Sequence, residues 1–146
     1  MRISAKSEYA ILALTELADK YQSKQLVRLE EIAKSQDIPQ KYLVQIFLQL
    51  KRLGLVKSKR GAQGGYFLGA SPDQITLGEI ISAVEGPLLT MQCIADNPAD
   101  KCKRAATCGF KEIWFEVREK VIKIFDDITL EDISRKCKKQ IHNYVI

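Results

Sequence analysis

The chain has 146 residues, a hydrophobic share of 46% and a formal net charge of +5 at pH 7. This length predicts one domain, or one domain with a long appended element, and the apolar share suffices for a core without covalent staples. No apolar run reaches the roughly 18 residues of a membrane span, and the N-terminus lacks the apolar core of a secretion signal, so we expect a cytoplasmic protein. In that compartment we expect the four cysteines to bind metal or sense redox state rather than form fixed disulfides.

The positive charge is concentrated in the middle of the chain. Residues 1–37 hold six basic and six acidic side chains, and residues 73–146 hold eleven basic and twelve acidic ones. Residues 38–72 hold six basic side chains and no acid. A focused positive surface is typical of a protein that binds a polyanion, so the distribution indicates nucleic acid as the partner. An ordinary solvated face is the alternative.

Periodic apolar residues predict three helices before residue 55. SEYAILALTELADKYQ predicts a buried first helix with Ser7 as its N-cap, and VRLEEIAKSQDI predicts a short second helix. The third helix starts at Pro39, which suits the first helical position, and ends at Gly54 in a left-handed cap. Leu43, Ile46, Phe47 and Leu50 recur at helical spacing and form one apolar face. The opposite, outward face is expected to hold Lys41, Gln45, Leu48 and Arg52, where Leu48 could contact a thymine methyl group or a partner surface.

The segment after the third helix predicts a β-hairpin. LVKSKR alternates apolar and basic residues as a strand does, GAQGG is a turn, and YFL is the returning strand. Two helices joined by a short turn and followed by a basic hairpin form a winged helix-turn-helix. In that arrangement the third helix enters the major groove, and glycines at the hairpin tip let backbone N–H groups approach phosphate oxygens. An ordinary glycine-rich turn is the alternative.

The second half of the chain predicts two helices separated by a cysteine-bearing segment. TLGEIISAVEGP has capping-box spacing between Thr76 and Glu79, and Gly86 ends the helix. A long helix from Phe110 carries an apolar stripe, which we expect to pack against a second copy of the chain, since two-fold dimers match palindromic sites. Packing within the chain is the alternative. The tail from Thr129 predicts a short helix followed by the basic run RKCKKQ.

Three stretches resemble one known family. MRISAKSEYAILAL, YLVQIFLQLKRLGLVKSKRGAQGGYFL and ITLGEIISAVEGP are similar to the Rrf family of bacterial winged-helix regulators, which has IscR-like, NsrR-like and CymR-like members. The likeness covers the chain to about Phe125. It implies a mainly α fold and a homodimer with crossed long helices. We expect a winged helix-turn-helix DNA-binding domain over residues 1–86, a sensor loop over residues 87–109, and a dimerisation helix with its tail over residues 110–146.

The resemblance also implies a cofactor. In some members a three-cysteine loop before the long helix holds a 2Fe–2S or 4Fe–4S iron–sulfur cluster, and the matching residues here are Cys93, Cys102 and Cys108. IscR-like members place a histidine three residues after the third cysteine, but Lys111 stands there. NsrR-like members use an acidic residue early in the first helix of the partner subunit, and Glu8 occupies that place. The implied ligands are therefore the three cysteines and Glu8 from the other chain.

The cysteines could also serve regulation without an iron–sulfur cluster. The loop thiols could bind Zn²⁺, act as bare redox thiols, or be inert, and a protein partner could supply the signal instead. Cys137 stands apart among basic residues, and we interpret it as non-ligating.

An enzyme is not indicated, because the chain has one histidine and neither a nucleophile elbow nor a phosphate loop.

The predicted DNA contacts fall in two groups. Bases are expected to meet the start of the third helix, because Gln pairs with adenine and Lys with guanine; the candidates are Gln40, Lys41, Tyr42 and Gln45. Phosphates are expected to meet Arg28, Lys57, Lys59, Arg60 and the amides of Gly64 and Gly65. Family members also insert a wing side chain into the minor groove, and the residue here would be Arg60 or Gln63.

Overall fold

The computed structural model describes residues 3–90 and 107–144. The elements in chain order are α1 (Ala5–Tyr21), α2 (Leu29–Ser35), α3 (Gln40–Arg52), β1 (Val56–Lys59), β2 (Gly65–Leu68), α4 (Leu77–Glu85), α5 (Gly109–Asp126) and α6 (Leu130–Tyr144). A short 3-10 helix, Pro72–Gln74, connects β2 to α4. This mainly helical fold with a two-stranded wing confirms the predicted fold class. None of the described helices is both long and apolar enough to cross a membrane.

One hydrophobic core joins α1, α2, α3, the hairpin and α4. α3 contributes the side chains predicted by its 3.6-residue period, which are Leu43, Ile46, Phe47 and Leu50. The Phe47 and Tyr66 rings meet edge to face with their centroids 4.8 Å apart, and this contact holds β2 against α3. The core therefore fixes the position of the wing relative to α3.

The wing is an antiparallel hairpin extended by a single bridge to Val27. The N–H of Val27 donates to the carbonyl of Tyr66 at 3.0 Å, and the N–H of Tyr66 donates to the carbonyl of Val27 at 2.8 Å. The backbone N–H and C=O of Tyr66 therefore point away from β1. The hydrogen-bonded pairs of the hairpin instead involve the residues immediately before and after Tyr66. The pair nearest the tip is Lys59 with Gly65.

α1 begins earlier than the sequence predicted. Ser4, not Ser7, is the N-cap, and its hydroxyl accepts the N–H of Ser7 at 3.4 Å. Ser7 is fully buried, and its hydroxyl donates to a carboxylate oxygen of Glu85 at 2.7 Å. The N–H of Ser4 donates to the same oxygen at 3.1 Å. These two contacts fasten the first turn of α1 to the last residue of α4.

Other helix boundaries lie close to their predicted positions. Pro39 is the N-cap of α3 rather than its first helical residue, so this boundary differs by one position. Gly54 has φ of +76°, which confirms the left-handed turn after the helix. The capping box of α4 is present, because Thr76 Oγ1 accepts the N–H of Glu79 at 3.2 Å while the Glu79 carboxylate accepts the N–H of Thr76 at 2.9 Å.

α5 packs on α4 along one side and leaves an apolar face exposed. No residue of α5 is buried. The apolar side chains on the exposed face are Phe110, Ile113, Val117 and Ile124, which are 57%, 62%, 40% and 59% exposed. Trp114, Val121 and Phe125 lie next to this face and are half-buried. The predicted stripe is thus exposed along one edge and half-buried along the other.

α6 differs from the predicted short helix with a basic tail. It is a 15-residue helix that includes the whole RKCKKQ run and packs against α1. Leu130 is fully buried in the common core. The hydroxyl of Ser134 donates to Asp19 at 2.6 Å, and Lys138 Nζ lies 3.0 Å from the same carboxylate oxygen. The helix starts at a second capping box between Thr129 and Asp132.

Candidate nucleic-acid interface

The outward side of α3 is exposed where the sequence predicted base contacts. Its first two turns present the side chains of Gln40, Lys41, Tyr42 and Gln45 to solvent. Leu43, Ile46 and Phe47 of the same turns are buried, whereas Val44 is 46% exposed. The helix carries no acid, and its charged side chains are all basic, with Lys41 near its start and Lys51 and Arg52 at its end. This is the surface that a duplex with negative phosphates would approach most favourably.

Contacts with two other helices hold the first turn of α3. The amide nitrogen of Gln40 donates to the Glu30 carboxylate of α2 at 3.1 Å. The Tyr42 ring lies 6.3 Å from the Tyr9 ring of α1, and Lys41 Nζ lies 5.2 Å from the centroid of the Tyr42 ring. Lys41 is therefore stabilised over an aromatic face that α1 positions. The sequence alone did not indicate these neighbours, because each comes from a distant element.

The wing presents basic side chains on the exposed face of β1. Lys57 and Lys59 alternate with the buried Val56 along β1, and all the predicted wing side chains are exposed, namely Lys57, Lys59, Arg60 and Gln63. Lys51 near the end of α3 donates from Nζ to the Ser58 hydroxyl at 2.6 Å. This bond ties the recognition helix directly to β1, so the two predicted contact surfaces are held in one arrangement.

Arg28, a predicted phosphate contact, also binds the wing tip within the chain. Its guanidinium donates to the carbonyl of Ala62 at the wing tip. Arg28 is also the N-cap of α2, and its N–H donates to the Glu31 carboxylate at 3.2 Å. The side chain therefore joins the start of α2 to the wing tip and acts as a positioning residue for that tip.

The tip glycines are required by packing within the chain. A Cβ on Gly64 would lie 2.3 Å from the Lys59 carbonyl oxygen, and a Cβ on Gly65 would lie 2.9 Å from the Val27 carbonyl oxygen. The N–H of Gly64 donates to Gly61 at 2.9 Å, and Gly65 belongs to the hydrogen-bonded pair with Lys59. Both amides are thus engaged inside the hairpin, which differs from their predicted role as phosphate donors.

Only part of the predicted cluster site lies within the described residues. Cys93 and Cys102 lie outside them. Cys108 is the N-cap of α5, where it is half-buried and its side chain makes no capping hydrogen bond. Glu8 is exposed in the first turn of α1, and its carboxylate makes no hydrogen bond or ion pair within residues 3–90 and 107–144. Those residues contain no group of three metal-ligating side chains.

Two hydrogen bonds fix the entrance of the cysteine loop to α5. The indole N–H of Trp114 donates to the Leu89 carbonyl at 3.0 Å, and Arg118 Nε donates to the Leu88 carbonyl at 3.2 Å. The exit of the loop is Cys108, six residues before Trp114 on the same helix, or about 9 Å at the helical rise. The structure therefore brings the two ends of the loop close together.

The exposed basic helix α3 has α2 before it and a basic hairpin fastened to its C-terminal end. This arrangement defines a winged-helix DNA-binding protein. The comparisons with known proteins agree. A sequence model of one family, described as "Rrf2: Iron-dependent Transcriptional regulator", matches residues 3–136. The chain belongs to the Rrf2 family of transcriptional regulators, and it is a DNA-binding regulator rather than an enzyme.

Individual relatives cover nearly the whole chain. CymR of Bacillus subtilis is 37% identical over 134 residues, which are 92% of this chain and 90% of the relative. The solved structure of that protein, described as a global cysteine regulator, has a TM-score of 0.73 at 36% identity, with 93% of this chain and 98% of that chain covered. IscR of T. potens also has a TM-score of 0.73, at 31% identity and 96% and 90% coverage. The oxidized form of Staphylococcus aureus CymR has a TM-score of 0.67, at 30% identity and 92% and 96% coverage.

Proposed function

We propose that the chain regulates transcription as a homodimer that places α3 of each copy in a major groove and each wing along the neighbouring backbone. The observation that carries this proposal is the acid-free, exposed surface formed by α3 and the hairpin. Lys41, Lys57, Lys59 and Arg60 supply its positive charge. Such a surface gains affinity by releasing counterions from the phosphates, which makes binding steeply dependent on salt.

The exposed apolar face of α5 supports the dimer. Its four side chains are at least 40% exposed, whereas α1, α3 and α4 each bury apolar side chains in the core. A contiguous apolar face of this kind is unfavourable in water and favours a self-complementary interface. Two copies joined through α5 would present two recognition helices, as a palindromic site requires.

The DNA proposal is tested by selecting duplexes from a random pool with the purified chain and titrating the enriched sequence. Arg60→Ala should weaken all duplexes alike and reduce the salt slope, because Arg60 would contact phosphate. Gln45→Ala should relax sequence preference, because Gln45 would contact a base edge. Glu112→Gln on α5 is a control that should change neither property. Absence of any enriched duplex at low ionic strength would contradict the proposal.

We further propose that the cysteine loop holds an iron–sulfur cluster through Cys93, Cys102 and Cys108, with Glu8 of the partner subunit as the remaining ligand. The fastened entrance of the loop supports this arrangement. Cys93 is four residues beyond Leu89, and four residues of extended chain span about 14 Å. Cys93 can therefore reach the start of α5, where Cys108 lies. Three thiolates from one loop form a donor set suited to iron.

A bound cluster would supply a centre that reacts with nitric oxide or oxygen. The protein's part is to hold three thiolates and to offer one weaker carboxylate ligand that can be displaced. Glu8 lies one turn from Ser4, and Ser4 and Ser7 bind Glu85 just before the loop begins. The next residue, Tyr9, contacts Tyr42 of α3. A change of ligation at Glu8 would therefore act on α1, which packs against the recognition helix, and shift the population of DNA-competent dimers.

A second proposal is a cluster-free regulator that responds through its thiols or through a protein partner. The observation that favours it is the likeness to two CymR proteins. The one from Bacillus subtilis is described as a global cysteine regulator, and the one from Staphylococcus aureus has been solved in an oxidized form. Under this proposal the signal would be oxidation of loop cysteines or the docking of another protein. The two proposals share the same DNA interface and differ only in the chemistry of the loop.

One spectrum separates the two proposals. Anaerobic reconstitution with iron and sulfide should give a brown protein with broad absorbance at the blue end of the visible range if the loop holds a cluster. Cys108→Ser should abolish this absorbance, whereas Cys137→Ser on α6 should retain it. A colourless preparation with stoichiometric loss of thiol on oxidation would contradict the cluster and support thiol sensing. DNA titration with and without nitric oxide then tests the coupling, since unchanged affinity would contradict it.

A further inference from the structure

Leu48 occupies an unusual position on the recognition helix. Lys41, Gln45, Leu48 and Arg52 follow one another at spacings of four, three and four residues, so they form a single stripe along α3. This stripe lies opposite the buried face. Leu48 is 54% exposed in the middle of it, although its three companions are polar.

Nothing within the described chain explains a leucine at that position. The core side of α3 is already filled by four buried apolar residues. A single exposed leucine is common on protein surfaces. In a stripe directed at a DNA groove, however, it would be desolvated on binding, and a leucine side chain can make no hydrogen bond to a base. The one apolar group that a base pair presents in the major groove is the C5-methyl group of thymine.

We infer that Leu48 is a specificity-determining residue that contacts the C5-methyl group of a thymine in the major groove. The inference rests on the proposed DNA-binding role of α3. Lys41 and Gln45 would select bases through hydrogen bonds, and Leu48 would add a preference for thymine at one position through apolar contact alone. Removing the methyl group should weaken binding about fourfold, the effect of burying one such group.

The experiment removes the methyl group from the DNA and the side chain from the protein in turn. The enriched duplex from the random-pool selection is prepared with each thymine replaced singly by deoxyuridine, which keeps every hydrogen-bonding group and lacks only the methyl. Affinities are measured for the unmodified chain, for Leu48→Ala and for Leu53→Ala. Leu53 is a matched control, because it is 61% exposed, lies at the C-cap of the same helix, and is outside the stripe.

The expected result is a loss of about fourfold at one thymine per half-site for the unmodified chain and for Leu53→Ala. Leu48→Ala should bind the thymine and deoxyuridine duplexes equally at that position. Equal affinity of the unmodified chain for all singly substituted duplexes would overturn the inference while leaving the DNA-binding proposal intact. A loss that persists in Leu48→Ala would also overturn it, because another side chain would then read the methyl group. Failure to enrich any duplex would overturn both proposals together.

Discussion

The winged-helix part and α5 satisfy their apolar residues in different ways. In the first part, α1, α3 and α4 bury their apolar faces in one core, and even α6 returns to place Leu130 in it. α5 is as long as α1 but buries no residue. The winged-helix part is thus complete within one chain, whereas α5 has a face with no partner among the described residues. Under the proposed function, DNA recognition and dimerisation would therefore depend on separate surfaces that can be disrupted separately.

The largest expected effect is on the shared core. Phe47→Ala removes a ring that is 1% exposed and contacts Tyr66. We expect the free energy of unfolding to fall by about 3–5 kcal/mol, because a large cavity is left in a packed interior. Urea denaturation followed by circular dichroism measures this change. Leu53→Ala should alter it by less than about 0.5 kcal/mol, since that side chain is exposed. Similar losses for both variants would contradict the core described above.

The second-largest effect should be a loss of dimer affinity with the core left intact. Ile113→Glu places a charge in the exposed face of α5, where Ile113 is 62% exposed. We expect dimer affinity to fall by more than about 100-fold, because burying an unpaired carboxylate costs roughly 3 kcal/mol or more. Sedimentation should then show monomers whose urea midpoint is close to that of the dissociated parent chain.

Phe115→Glu is the control for this charge. Phe115 is 46% exposed on the same helix but lies on nearly the opposite side from Ile113. We expect it to remain dimeric. If both variants sediment as monomers, the interface does not follow the Phe110, Ile113, Val117 and Ile124 face.

The smallest effect concerns a contact inside the winged-helix part, between the first turn of α1 and the end of α4. Ser4 and Ser7 donate hydrogen bonds to the Glu85 carboxylate and lower the pKa of Glu85, with the larger effect from Ser4. A lowered pKa in the folded state means that the carboxylate contributes stability above its unfolded pKa and loses that contribution as pH falls through the folded pKa. The stability difference between the parent chain and Glu85→Gln should therefore be full near pH 6 and shrink below about pH 4.5. A difference that grows on acidification would contradict this assignment.

Local signals predicted most of the winged-helix part. The spacing of Leu43, Ile46, Phe47 and Leu50 gave the buried face of α3, and Gly54 gave its end, because both follow from neighbours within the helix. Thr76 and Glu79 gave the start of α4 for the same reason. These features depend on residues a few positions apart, so the chain alone contains the information.

Features that depend on distant partners were missed or misassigned. The sequence predicted Ser7 as the N-cap of α1, but its hydroxyl binds Glu85, which lies 78 residues further along the chain. The contact between Arg28 and the wing tip was missed, because its carbonyl partner, Ala62, is 34 residues away. α6 was predicted too short, although the capping-box spacing of Thr129 and Asp132 was available as a local signal. The DNA contacts and the cluster ligands remain predictions.

The hydrogen bond between Trp114 and Leu89 gives the protein a built-in optical reporter. The chain has one tryptophan, and its indole donates to the backbone at the entrance of the cysteine loop. Any rearrangement of the loop that breaks this bond would change the polarity around the indole. Intrinsic fluorescence excited at the tryptophan band therefore follows the loop without a label, and a single emission scan can compare reduced, oxidised and DNA-bound samples.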